Sequence, residues 1–237
     1  MAAGRHFLST VAAADFCYRG AFEASLRAGM MSFQRPPRRA FTSLLACVAA
    51  AALVAACSSS SAVTNYDLTA PRQVRAASAA VGQIAVAEPA AVQPLESDRI
   101  VVREASGAVS SVPGGQWADR LPRLVQSRLI QTFENSSGLR AVSRPGGGVT
   151  PDFQLTSELR AFQIDASNGQ AVVEMSVKLV NERSGRIAAT RIFAGRVPVG
   201  TVDAANAAQA LDRALAIVLL DIVRYVGTAR AADAPAT

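Results

Sequence analysis

The chain has 237 residues, half of them hydrophobic, with 24 lysines and arginines against 18 acids and a formal charge of +6. Six of those basic residues and two of the acids precede Cys57, so the remainder carries 18 basic and 16 acidic residues, a charge of only +2; that balance removes the argument for nucleic acid or an anionic surface as partner. The only histidine is His6, and from Cys57 onward the only cysteine is Cys57 itself, which excludes Ser–His–Asp and Cys–His nucleophile systems, His/Cys zinc sites and a disulfide within that part.

In chain order, the first feature is a leader. Arg35, Arg38 and Arg39 form a basic flank, residues 40–56 an apolar run, and Leu53-Val54-Ala55-Ala56 places small residues just ahead of Cys57. That layout is a secretory signal, here with the cleavage and lipidation site of a bacterial lipoprotein at Cys57. The run has only 17 residues, mostly alanine, which is marginal for a membrane span. Ser58-Ser59-Ser60-Ser61 follows as a flexible linker. A leader of 56 residues is long for a signal of about 15–30. A start at Met31, or equally Met30, restores the usual length, so residues 1–30 are expected to be untranslated or discarded and 31–56 to be the signal peptide. His6 and Cys17 fall in that leading stretch and carry no functional weight.

Residues 57–80 read as the lipidated N-terminus and linker, 81–227 as one folded domain and 228–237 as a disordered tail. Tyr66-Asp67-Leu68 is extended and stops before Pro71. Gln83 to Val86 and Arg99 to Arg103 suit buried strands, and a turn at 104–107 returns 108–112 as a hairpin partner. Pro113-Gly114-Gly115 is expected to break the sheet. A helix then runs from about Trp117 to Asn135, with Leu121, Leu124, Val125, Leu129 and Phe133 on one face and Pro122 in the first turn. Trp117 reads as a core anchor at the helix entrance. Gly146-Gly147-Gly148 lacks the Gly-Lys-Ser/Thr continuation of a phosphate loop.

The strongest sheet signal follows. Phe153, Leu155, Ser157, Leu159 and Ala161 alternate with polar residues, Asn168-Gly169 turns the chain, Ala171 to Leu179 alternates again, and Ser184-Gly185 leads into a third strand over 187–199. The apolar face of this meander needs a cover. A last helix supplies it, capped by Thr201 or Asp203, striped by Leu211, Ala214, Leu215, Val218, Ile222, Val223 and Val226, and ended by Gly227. The order of elements gives an α+β fold: two layers, with a mostly antiparallel sheet and two packed helices.

The segment Tyr66-Asp67-Leu68 after a lipidatable cysteine, the stretch Ser97-Asp98-Arg99-Ile100-Val101-Val102, and Trp117-Ala118-Asp119-Arg120-Leu121 opening a helix that ends in Phe133-Glu134-Asn135 together resemble the ABC-type transport auxiliary lipoprotein family. The resemblance implies a non-enzymatic, periplasmic partner of a lipid transport system, with an MCE-domain substrate-binding protein and an ABC permease and ATPase as partners. It implies no catalytic, cofactor-binding or metal residues; only Cys57, carrying fatty acyl chains such as palmitate, transfers as a site. Ser58 after the cysteine, rather than aspartate, favours the outer membrane over the inner by the same family-level rule. Two or three acyl chains hold a protein in a bilayer where one alone binds marginally. The competing readings are an assembly or plug lipoprotein of an outer-membrane machine, a lipid carrier, which needs a deep apolar pocket, and an enzyme built on a carboxylate pair or Lys178. Loops 104–115 and 144–150 are the candidate contact segments, and the sequence leaves open a homo-oligomer.

Overall fold

A computed structural model describes residues 62–72, 82–136, 141–148 and 150–233, with side chains described to residue 229. Ten elements follow one another: β1 (Thr64–Tyr66), β2 (Gln83–Val86), β3 (Arg99–Arg103), β4 (Val109–Trp117), α1 (Leu121–Glu134), β5 (Ala141–Ser143), β6 (Phe153–Asp165), β7 (Gln170–Asn181), β8 (Arg186–Pro198) and α2 (Ala204–Asp233). The eight strands form one mixed sheet. Its antiparallel ladders, β3 with β4, β6 with β7 and β7 with β8, carry most of the pairing, and the parallel contacts are short. The α+β class, with two helices packed on a mostly antiparallel sheet, is the one expected.

Strand β6 is the backbone of this sheet. One edge pairs along its whole length with β7. The other is shared, with β2 running parallel to its first part and β3 parallel to its last. Helix α2 lies against β8 and β7, reaching β6, β4 and β3, while α1 packs on α2, β5 and β2. Ala171, Val173, Met175, Val177 and Leu179 on β7 and Leu211, Ala214, Leu215, Val218, Ile222, Val223 and Val226 on α2 are all buried. The two periodicities, two on the strand and three to four on the helix, therefore meet in one core. Leu219 is also fully buried, so the broad apolar side of α2 faces its own sheet.

Four sequence readings are corrected. Pro113-Gly114-Gly115 does not end the sheet: β4 continues through it to Trp117, and the β3–β4 register jumps between Val101↔Ser111 and Arg99↔Gln116. The extra residues bulge out opposite Ile100, with Gly114 at φ 75°, so the local signals for a break produce a bend within a strand. Second, β6 carries a bulge between Leu159 and Ala161. The alternation changes phase there, and Phe162 and Ile164, not Ala161, join the core. Third, α2 runs past Gly227 to Asp233; Thr228 Oγ1 donates to the Tyr225 carbonyl at 2.8 Å, and alanine-rich sequence favours continuation of a helix. Fourth, the folded unit begins before residue 81, because β1 pairs with β4 and Leu68 is buried. Residues 73–81, most of the expected loop, and 234–237 of the expected tail lie outside the described residues.

The helix ends follow local chemistry. Asp203 caps α2, its Oδ1 accepting the Asn206 amide at 2.9 Å, and Thr201 Oγ1 donates to Asp203 Oδ2 at 3.1 Å. Helix α1 has no side-chain cap; Pro122 in its first turn needs no amide partner, and the Leu121 amide donates to the Ser97 carbonyl at 3.0 Å. Trp117 closes β4 and is buried, edge-on to Phe162 with ring centroids 5.7 Å apart.

Candidate functional site

Cys57, the one site residue expected from the sequence, lies outside the described residues, as do the linker serines. The chain enters the described part at residue 62, and its next ten residues are fastened to both helices. Asp67 receives Arg128 Nη2 of α1 on both carboxylate oxygens at 2.6 Å. Leu68 is 2% exposed and plugs the core between these contacts. Thr69 gives its amide and its hydroxyl to the two oxygens of Asp212 on α2, each at 2.7 Å. The Pro71 carbonyl accepts from Asn135 Nδ2 at the end of α1 at 2.9 Å. Charge-assisted and doubled hydrogen bonds of this kind are the stronger members of their class. The result is a latch that ties this segment to α1, α2 and the core. Sequence reasoning found Tyr66-Asp67-Leu68 but not its partners, since Asp212 looks like any polar residue on an apolar helix and the pairing spans the whole domain.

Beside the latch, Tyr66 and Ala204 crowd Gly115. A Cβ there would lie 2.5 Å from the Ala204 Cβ and 3.0 Å from Tyr66 Cε2. Glycine is thus required at this point for close approach of β4, β1 and the start of α2.

The loop at 144–148 sits against α1. Arg144 Nη2 donates to Ser127 Oγ at 2.9 Å, and an open cleft of about 680 Å³ lies between them, lined by Glu88, Asp119, Arg123, Gln126, Ser127 and Arg144 among others. A second cleft of about 280 Å³ continues on the far side of Arg144. Gln126 in the larger cleft is buried and donates to the Val86 carbonyl at 2.9 Å. Both clefts mix charged and polar groups with apolar ones, Leu124 and Pro145 in the larger and Ile130 and Val142 in the smaller. Of the other expected contact segment, 104–115, only the turn before Val109 is a loop; the rest is β4.

No group of three or more His, Cys, Asp or Glu able to hold a metal occurs among the described residues. The two carboxylates held below the ordinary aspartate range have structural causes. Asp165 accepts hydrogen bonds from the side chains of Ser167 and Asn168 in the β6–β7 turn. Asp203 accepts the Asn206 amide at the start of α2. Glu88 and Glu96 flank Arg120 at the entrance to α1, another structural pairing.

Among the described residues the site thus consists of an N-terminal segment bound to both helices and open clefts beside α1. The sequence profile of the ABC-type transport auxiliary lipoprotein component family matches residues 66–223, and the chain belongs to that family. An uncharacterized protein, bll6063, of Bradyrhizobium diazoefficiens is 32% identical over 166 residues, 68% of this chain and 44% of the relative. The chain therefore spans less than half the length of that curated relative. Among solved structures, XCC0632 from Xanthomonas campestris, assigned to the DUF330 family, is 28% identical with a TM-score of 0.67, covering 72% of this chain and 98% of that one. A second crystal structure of an uncharacterized protein, 16% identical, has a TM-score of 0.57 over 70% of this chain and 99% of that one, a likeness of fold alone.

Proposed function

We propose that this protein is a lipid-anchored, non-catalytic auxiliary subunit of an MCE-type ABC transport system that moves phospholipid or another apolar substrate across the cell envelope. The observation that carries the proposal is the family match over residues 66–223, which takes in the latch, α1, the whole meander and α2 as far as Val223; the expected lipoprotein signal, 31–56, lies just upstream. Cys57 carries the acyl chains and the domain stands on the periplasmic face of the outer membrane. Its partners are the MCE-domain protein and, through it, the permease and ATPase. The latch at Asp67 and Thr69 fits a module loaded through its N-terminal segment. The clefts beside α1 are open and of mixed lining, which fits a contact surface better than an enclosed apolar site for lipid.

The test is to tag the C-terminus, extract native membranes gently and identify what copurifies. An MCE-domain protein with ABC permease and ATPase subunits is the expected result. A β-barrel protein without any transporter would instead favour an assembly or plug lipoprotein of an outer-membrane machine. Fatty-acid labelling with a palmitate analogue, present in the wild type and absent in Cys57→Ala, tests the anchor separately.

A further inference from the structure

The long exposed edge of the sheet is β8. The other terminal strands, β1 and β5, have three residues each, whereas β8 has 13 and pairs among the described residues only with β7. Its backbone direction can be read from the ladder. The Val199 amide donates to the Gly169 carbonyl at 2.8 Å, next to the Gln170↔Pro198 pair. Antiparallel pairs alternate between bonded and non-bonded, so Thr190, Ile192, Ala194 and Arg196 point their N–H and C=O groups away from β7. The Tyr225 hydroxyl donates to the Thr190 carbonyl at 3.3 Å from that outer side, as this assignment requires. Helix α2 covers the face of β8 at Gly195, where Ala214 approaches; its Tyr225 occupies the Thr190 carbonyl, and the outward groups of Ile192, Ala194 and Arg196 remain along the edge.

The same strand is strongly basic. Residues 183–202 contain Arg183, Arg186, Arg191 and Arg196 and no acid. Arg183 pairs with Asp152 at 3.1 Å; Arg186, Arg191 and Arg196 are exposed and form no ion pair among the described residues. Arg191 is held over the rings of Phe193 and Tyr225, 5.5 Å from each centroid. It projects on the helix side of the sheet, Arg196 on the other, so cations flank both faces of the open edge. Ile192, 51% exposed, and Ala194 supply small apolar contacts between them.

We propose that β8 is a docking edge for an acidic, extended segment of a partner protein, which adds to the sheet as a ninth strand. Backbone hydrogen bonds supply the pairing and the arginines select carboxylates on both faces of the incoming strand. A second copy of this chain is a poor occupant of the same edge, because it would bring arginines to face arginines with no carboxylate between them. The proposal rests on the docking reading above for the kind of partner.

The test uses the full chain in mild detergent and a fluorescent peptide of about ten residues alternating glutamate and valine, long enough to span a strand. The peptide is expected to bind, to protect β8 amides from hydrogen exchange, and to bind about tenfold or more weakly to R186E/R191E/R196E. A copy of the peptide N-methylated on the alternate residues that face β8 is expected not to bind, which needs no change to the protein. Equal binding to the reversed variant, or by the N-methylated peptide, overturns the proposal. So does arginine-dependent binding of short-chain phosphatidylglycerol without peptide binding, which marks a lipid surface. Protection of β8 that appears with protein concentration alone marks self-association and equally overturns it. If transporter subunits copurify undiminished with the reversed variant, the edge proposal falls and the auxiliary-subunit reading stands. If the peptide binds as expected but no transporter copurifies with the wild type, the opposite holds.

Discussion

At Gly195 helix α2 comes close to the sheet. A Cβ there would run into the Ala214 carbonyl oxygen and lie 3.2 Å from Val218 Cγ2, so Gly195→Ala must push the helix off β8. Overpacking of this kind costs about 1–3 kcal/mol, to be read as a lower midpoint in chemical unfolding. Gly200→Ala is the control: nothing lies within 4 Å of its added Cβ, and it should be neutral or slightly stabilising. Asp203 gives a pH prediction. The Asn206 amide holds its carboxyl below the ordinary value, so its contribution to stability is full above the unfolded value and is lost as pH falls through the lowered folded one. Asp203→Ala should therefore lower the melting temperature at neutral pH and flatten its decline in acid; an unchanged acid profile would contradict the cap. The cap itself was legible, because Thr201 and Asp203 precede an apolar stripe. The close approach at Gly195 was not: a glycine in an otherwise regular strand signals only that some backbone or ligand is near, without saying which.

At the scale of elements, the latch makes the sharpest prediction. Asp212→Ala removes two acceptors from Thr69 and should cost about 1–2 kcal/mol, since the pair is exposed. Hydrogen exchange should rise first at residues 67–71, with β6 and β7 unchanged; uniform loosening of the domain would show that the segment is not a separate unit. Trp117→Ala should be far more damaging, about 3–5 kcal/mol, because the indole closes β4 against Phe162. The meander and both helices were legible because β6 up to Leu159, β7 and the two helices carry sustained amphipathic patterns and turn signals mark the strand ends. What escaped were the irregularities. Ala161 is small enough to continue the β6 alternation, and the one sign of the bulge is that Phe162 and Ile164 alternate with Gln163 and Asp165 in the opposite phase. Pro113-Gly114-Gly115 carried the signals of a break, yet a bulge opposite Ile100 absorbs all three residues and the strand goes on to Trp117.

For the whole molecule, the α+β class followed from the order of elements, but the mixed sheet did not. The parallel contacts of β6 with β2 and β3 join segments far apart in the chain, and hydrophobic pattern fixes which face is buried without fixing which strand lies beside which. Nor could the sequence show that Asp67 and Thr69 are gripped by α1 and α2, which is what turns a linker into a latched entry point. The proposed Cys57 anchor was read from the leader alone, on chemistry that belongs to a processing site and not to the fold.

The most direct measurement of the proposed role is quantitative copurification of the C-terminally tagged wild type and Cys57→Ala from native membranes. An MCE-domain protein with its ABC permease and ATPase is expected in the wild-type eluate. They should be lost with Cys57→Ala while circular dichroism of that variant keeps its α+β signature. A wild-type eluate without transporter subunits, under conditions that preserve other envelope complexes, would contradict the account. Full recovery of the transporter with Cys57→Ala would show that docking does not depend on the anchor.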